Sequence, residues 1–304
     1  MGKLHAKVIV NPVAGANSTY RKWPHISRLL REAGLSFDYH YTEGVGHAIE
    51  LARGATQSGY PFVVAVGGDG TVSEVANGIL TAVSPASAAL GIVNTGTGND
   101  FVRSLGKPMD YSLSCRSLTG SGRLVIDVGE VEYWKGNQPL RRFFVNGAGV
   151  GFDAEVTENV HKLPKLGGGT IPYVMGLVRT LLGYHNKPVT MGIDGKQDER
   201  RILSVVVANG AYFGGGMHIA PGAELGDRSL DVLTIGDMGK FELLRAFPRV
   251  YKGTHITHPK VRLERAGVVR IESEQRLLLQ ADGELIGEGP VTFRVVPAAL
   301  QIVV

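Results

Sequence analysis

Cysteine is all but missing from this chain. Cys115 stands alone among 304 residues, which excludes an internal disulfide and any thiolate metal site, and fits a reducing cytoplasm. Long apolar runs are missing as well: none reaches the roughly 20 residues of a membrane-spanning helix. The start, Met1 to Asn11, runs straight into a strand without a signal-peptide core, so the expected location is cytoplasmic. The formal net charge is only +4, and no basic stretch is interleaved with aromatics, so the reading is no nucleic acid. The nine histidines are scattered with no pair at helical ligand spacing, which leaves them surface or packing roles. Ser73 and Ser204 lack a nucleophile elbow. The central glycine turn is neither a P-loop nor a dinucleotide fingerprint, since Gly-x-x-x-x-Gly-Lys-Ser/Thr and Gly-x-Gly-x-x-Gly are both absent there.

What the chain has in abundance is glycine, 42 residues lying mostly in turns between apolar runs. The most informative turn is Gly67-Gly68-Asp69-Gly70-Thr71. The run Phe62 to Val66 before it suits a strand buried on both faces of a parallel sheet. Val72, Val75, Ala76 and Ile79 after it recur at helical spacing. Three glycines in four positions let the backbone take positive φ and approach a ligand closely. A glycine turn between a strand and a helix N-terminus aims N–H groups and the positive dipole end at one point, an anion site most suited to phosphate. Asp69 would repel bare phosphate, so its presence points to a bridging Mg²⁺. Gly-Asp-Gly also serves ordinary turns, and the strand and helix context is what favours phosphate.

Other strands end in similar turns. Ala6–Val10 ends in Asn11-Pro12-Val13-Ala14-Gly15, Phe37–Tyr41 leads to Thr42, and Ala89–Val93 leads into Thr95–Asp100. Helices are expected over Trp23–Ala33 and His47–Ser58, and near Phe101, where Asn99 and Asp100 would cap the helix and face the nucleotide. This alternation predicts a doubly wound, parallel-rich α/β nucleotide-binding domain over 1–127, with a ligand beyond the strands' carboxyl ends. After Asp127 the runs become strand-like, predicting a second, mainly antiparallel β domain over 128–296. Two helices interrupt it, Ile171–Tyr184 and Lys240–Tyr251. The tail, 297–304, is expected to complete the first domain. Gly167-Gly168-Gly169 reads either as a lid or as a plain loop.

From Lys240 to Arg270 there are eight basic residues against two acidic ones, Glu242 and Glu264. The local excess, 8 − 2 = +6, exceeds the net charge of the whole chain, and predicts peripheral contact with an anionic membrane surface. A solvated basic face is the plainer alternative.

Taken in order, the motifs resemble the diacylglycerol-kinase-type lipid kinases, in particular their small soluble bacterial members. They are Asn11-Pro12-x-x-Gly15, Gly67–Thr71 with Glu74 and Asn77, Gly96–Phe101, Asn146 with Gly151–Ala154, Ala220-Pro221 with Asp227 and Leu230–Val232, and Asp282-Gly283-Glu284. The likeness covers nearly the whole chain. It implies ATP lined by Asn11, Gly15, Thr42, Gly67, Gly68, Asp69, Gly70, Thr71, Glu74 and Thr97, with Asp69 and Glu284 as catalytic residues and Glu284 as the general base. It also implies a structural Mg²⁺ on Asp227, joined by main-chain oxygens of Glu224 and Ser229. The family has Pro where Asn94 stands and Asp-Gly where Asp227-Arg228 stands. Glu284 lies between Gly283 and apolar Leu285-Ile286, where partial burial would tune it as a base. Without the likeness, an exposed hairpin carboxylate is the simpler reading. The expected activity is ATP-dependent phosphorylation of the hydroxyl of diacylglycerol or a related membrane lipid. An NAD kinase and a non-catalytic lipid-binding regulator are the rivals, and a homodimer stays open.

Overall fold

The computed structural model of the protein describes residues 5–83, 88–162 and 170–304. The glycine stretch 167–169, expected to be a lid or a loop, lies outside the described residues. The chain divides into two compact units, one of Met1–Asp127 with Pro297–Val304, the other of Val128–Val296.

The first unit alternates strand and helix: β1 (His5–Val10), α1 (Ala14–Glu32), β2 (Ser36–Tyr41), α2 (His47–Gln57), β3 (Phe62–Gly67), α3 (Asp69–Leu80), β4 (Ala89–Asn94), α4 (Asp100–Ser104) and α5 (Tyr111–Ser117). The strands pair in parallel in the order β2-β1-β3-β4. Parallel strands covered on both faces have no polar side to show, and β3 and β4 are buried along their whole length. One core joins Val8, Val10, Phe62, Val64 and Val66 of the sheet to Trp23, Ile26 and Leu30 of α1. Trp23 is 4% exposed and lies among Phe37, Tyr39 and Tyr41 of β2. Two elements differ from expectation. Helix α1 runs on through Pro24 and reaches back to Ala14, with a left-handed stretch at Gly15–Asn17. Helix α5 was not foreseen; Asp110 caps it by accepting from the N–H groups of Ser112 and Leu113.

The second unit holds most of β5 (Arg123–Lys135), then β6 (Gln138–Phe144), β7 (Gly147–Gly151), α6 (Phe152–His161), α7 (Thr170–Gly183), β8 (Lys187–Ile193), β9 (Lys196–Ile202), β10 (Ser204–Ala208), β11 (Leu230–Ile235), α8 (Lys240–Ala246), β12 (Val261–Ala266), β13 (Val268–Glu272), β14 (Leu278–Ala281) and most of β15 (Glu284–Val303). A 3₁₀ turn at Phe247–Lys252 replaces the second half of the helix expected over Lys240–Tyr251, and another follows at Thr254–Thr257. Pairing is antiparallel along β12-β11-β10-β7-β14-β15, and again along β15-β13-β8-β9. Phe144, Met191, Val205, Val232, Ile271 and Phe293 share its core. Strands β7, β9 and β12 are not among the expected strands: β7 is glycine-rich, and β9 and β12 are rich in charge. Beyond Val296, β15 enters the first unit, where Ile302 pairs in parallel with Leu90 of β4. No helix among the described residues is long and apolar enough to cross a membrane.

Candidate active site

In the first unit three turns meet at the carboxyl ends of β1, β3 and β4. The backbone carries them there: the N–H of Asn11 donates to Val66 O and that of Thr95 to Gly67 O, at 2.9 and 2.8 Å. Asn11 Nδ2 donates to Thr71 Oγ1 at 2.9 Å, tying the end of β1 to the start of α3. The glycines are needed for packing. Contrary to expectation, none of Gly67, Gly68 and Gly70 has positive φ. A Cβ on Gly67 would fall 2.3 Å from Thr71 Oγ1, and one on Gly96 2.5 Å from the Gly68 Cα. Gly15 does take positive φ, 58°, and a Cβ there would collide with Thr95 O at 2.2 Å.

Asp69 stands at the centre. It is the first residue of α3, and its Oδ1 accepts from the N–H of Phe101 at 3.1 Å, the cap that Asn99 and Asp100 were expected to provide. Asn99 instead takes φ 62° with no side-chain cap. Asp69 Oδ2 and Asp100 Oδ2 lie 2.9 and 3.8 Å from the place a Gly98 Cβ would occupy, so two carboxylate oxygens converge over that turn. Asn94 Nδ2 and Asn99 Oδ1 are buried with no hydrogen-bond partner among the described residues. Thr97 is exposed, and Thr42 is half-buried beside β1, its N–H on Val10 O. Glu74 is placed differently. Its carboxylate accepts from the N–H groups of Gly46 and Ala48, at 2.8 and 3.1 Å, and holds the turn before α2.

In the second unit, Asp282-Gly283 forms the two-residue turn between β14 and β15, with φ 47° and 82°. Glu284 opens β15. Its Oε2 accepts from Arg142 Nη2 on β6 at 2.9 Å, both side chains being largely buried. The expected apolar setting is thus replaced by an ion pair. The Asp282 carboxylate accepts from three backbone N–H groups, those of Val145, Asn146 and Gly147, each at 3.0 Å. Gln280 Oε1 accepts from the N–H of Gly283, while its Nε2 donates to Asp153 Oδ2, both at 3.0 Å. Ser204 Oγ donates to Asp153 Oδ1 at 2.6 Å. Burial pushes the Asp153 carboxyl above its ordinary range, and Gly149 leaves it room, since a Cβ there would lie 2.1 Å from Oδ2.

The loop before β11 carries Glu224, Asp227 and Ser229. Asp227 Oδ1 accepts from the N–H of Ser229 at 3.0 Å, and Oδ2 faces Arg265 Nη1 at 3.2 Å. That contact is an ion pair without hydrogen-bond alignment, for Oδ2 is buried with no hydrogen-bond partner. Arg265 Nη2 also reaches Gly222 O at 3.4 Å. Asp231, in register with Arg265 across β11 and β12, is pushed up to about 6, chiefly by burial. Arg228 stands at φ 64°, a backbone conformation that favours glycine.

Comparison with known proteins decides the family. The diacylglycerol kinase catalytic domain matches residues 5–131. The YegS C-terminal NAD kinase beta sandwich-like domain matches residues 147–304, more than half of the chain. The chain belongs to the diacylglycerol-kinase-type lipid kinases. Diacylglycerol kinases of Staphylococcus carnosus and Bacillus subtilis are 29% and 28% identical to it. Each alignment covers 95% of this chain, with 91% and 92% of the respective relatives. A crystal structure from Bacillus anthracis str. Sterne, assigned as a diacylglycerol kinase, superposes with a TM-score of 0.82 at 26% identity, covering 100% of this chain and 96% of that one. Yeast NADH kinase, at 11% identity and a TM-score of 0.51 over 99% of this chain and 83% of its own, shares the fold alone.

As a member of this lipid kinase family the protein is a phosphotransferase acting on an alcohol group. Phosphoryl transfer needs cradled phosphates and a divalent ion, and the first unit fits both. Its turns approach closely at Gly15, Gly68 and Gly96, Asn94 Nδ2 and Asn99 Oδ1 have no hydrogen-bond partner among the described residues, and Asp69 and Asp100 offer the hard oxygens that Mg²⁺ takes. At Asp227 the protein's own groups already engage the carboxylate. Arg265 faces Oδ2 and the N–H of Ser229 donates to Oδ1, and among the described residues no group of three or more His, Cys, Asp or Glu gathers to hold a metal, at Asp69 or here. Arg142, Asp153, Ser204 and Gln280 went unnoticed as supports of the Glu284 turn. Only the Gly151–Ala154 motif pointed toward any of them.

Proposed function

We propose that this lipid kinase transfers the γ-phosphate of ATP to the hydroxyl of diacylglycerol or a related membrane lipid. The carrying observation is the convergence of the Asn11–Gly15, Gly67–Thr71 and Thr95–Asp100 turns around the Asp69 carboxylate. In this reading residues 1–127 with 297–304 bind the nucleotide, and 128–296 receive the lipid. The N–H groups of Gly67–Thr71 hold phosphate oxygens, with Asn11, Gly15, Thr42 and Thr97 lining the nucleotide. Glu74 acts at one remove, by fixing the turn before α2. Asp69, with Asp100 beside it, holds Mg²⁺, which when bound neutralises charge on the phosphates.

Glu284 takes the proton from the lipid hydroxyl as its oxygen attacks the γ-phosphorus. The bond to the bridging oxygen breaks and ADP leaves. Arg142 fixes which way the Glu284 carboxylate points. A geometrically held base of this kind contributes about 10²–10⁴ in rate. Such an enzyme works in the cytoplasm at an anionic membrane surface, and the basic run Lys240–Arg270 supports that location.

The test incubates the protein with labelled ATP and Mg²⁺, offering lipid vesicles that contain diacylglycerol in one arm and NAD in the other. Labelled phosphatidic acid is expected, with a fall of at least 100-fold for Glu284→Gln and nucleotide binding retained. Labelled NADP, or unchanged lipid phosphorylation by the variant, would sink the proposal.

A further inference from the structure

Helix α8 presents two unlike faces. Leu243 and Ala246 point inward and join Leu181, Met238 and Val261 in a core cluster, with Phe247 and Val250 packed against it. Outward, Phe241 is 89% and Leu244 50% exposed, and Leu182 at the end of α7 is 72% exposed. Lys240 Nζ donates to Leu182 O at 2.5 Å, which ties the end of α7 to the start of α8. Tyr251, stacked edge-on against Phe247, adds a half-exposed ring.

The charges along this segment are mostly basic. From Lys240 to Lys252 the sequence has four basic residues, Lys240, Arg245, Arg249 and Lys252, and one acid, Glu242. Glu242 is already engaged, accepting from Lys260 at 2.7 Å and from the N–H of Gly239 at 3.2 Å. An exposed phenylalanine costs free energy in water, and a soluble surface seldom clusters such groups without a partner. A protruding apolar wedge ringed by Lys, Arg and Tyr suits one environment best. The wedge enters the boundary between headgroups and acyl chains while the cations meet anionic headgroups.

We infer that Leu182, Phe241 and Leu244 form a membrane-inserting wedge, and that Arg245, Arg249 and Lys252 hold it against an anionic bilayer. The inference deepens the lipid-kinase reading, and rests on it, by naming the surface on which the enzyme works. The wedge is built on a packed helix whose inner face belongs to the core, so its outer side chains can be changed without disturbing what lies beneath.

The experiment is co-sedimentation of the full chain with sucrose-loaded vesicles, without nucleotide. Vesicles of equal phosphatidylglycerol and phosphatidylcholine are compared with vesicles of phosphatidylcholine alone. Wild type is expected to bind the anionic vesicles at least tenfold more tightly, with binding weakened by salt. Phe241→Ser/Leu244→Ser, and separately Arg245→Glu, should each lower that affinity at least tenfold while melting at the wild-type temperature. Equal binding of wild type and both variants, or of wild type to both vesicle types, would overturn the wedge. So would sedimentation equilibrium showing a wild-type dimer that Phe241→Ser/Leu244→Ser dissociates, which would give the face to a second copy. Glu284→Gln should bind vesicles like wild type. If the vesicles are bound but no lipid is phosphorylated, the kinase reading fails and the wedge stands.

Discussion

The turn beginning at Gly67 and the turn beginning at Asp282 are built by opposite means. At Gly67–Thr71 the backbone does the work. Neighbouring turns approach until a single methyl group would collide, as at Gly96 over Gly68. At Asp282–Glu284 side chains from distant segments do it: Asp282 reaches the backbone of 145–147, Gln280 links Gly283 to Asp153, and Arg142 holds Glu284. In the proposed reading the first arrangement positions a ligand that brings its own charge. The second positions one carboxylate of the protein, which must point in a fixed direction.

The comparison breaks most sharply at Gly96. Gly96→Val would push the two turns apart, and nucleotide affinity should fall by at least about 100-fold, roughly 2.7 kcal/mol, when titrated calorimetrically against a stable ATP analogue. An affinity within threefold of wild type would mean the close approach is dispensable. The matching change in the second turn is Asp282→Ala. It strands three backbone donors and should cost about 2–4 kcal/mol of stability, read from urea unfolding. A loss below 0.5 kcal/mol would show that water replaces the carboxylate.

This difference also governs what was legible beforehand. Glycine spacing between a strand and a helix exposed the first turn, and the alternation of apolar runs exposed the parallel sheet. The reason assigned to Gly67, Gly68 and Gly70 was incomplete, because positive φ and tight packing ask for the same residue and sequence does not separate them. Asp69 was legible as a carboxylate of the glycine turn, while its capping of α4 depends on a turn 32 residues away. The second turn was legible only as an Asp-Gly hairpin. Arg142 lies 142 residues from Glu284, and no local pattern records so remote a pairing. Strand β9 was hidden because its exposed side chains, Lys196 to Arg201, carry charge where strands usually show β-branched residues.

A smaller effect extends the side-chain principle to the loop before β11. If Arg265 supplies the cation there, the melting temperature of wild type should not respond to EDTA or to millimolar Mg²⁺. Arg265→Gln should melt about 2 °C lower, as expected for a half-exposed pair worth under about 1 kcal/mol, and Mg²⁺ should restore the loss. A wild-type protein that melts lower in EDTA would return the loop to a divalent ion.

The smallest effect concerns His255, whose Nε2 donates to Ile219 O at 3.0 Å while burial holds its pKa below 6.5. The unfolded chain takes up this proton as pH falls through 6.5, and the folded protein resists. Stability should therefore decline from pH 7.5 toward 5.5, by up to about 1 kcal/mol from this group. His255→Gln should flatten that slope in urea midpoints, and an unaltered slope would assign it to other groups.

The two tryptophans give this molecule a built-in pair of reporters. Trp23 lies buried among Phe37, Tyr39 and Tyr41 of the first unit, while Trp134, in the part of β5 that belongs to the second, is 38% exposed. Their emission should differ in wavelength and in quenching by iodide. One fluorescence titration with denaturant, repeated with Trp134→Phe, would then show whether both units lose structure in one step or one after the other.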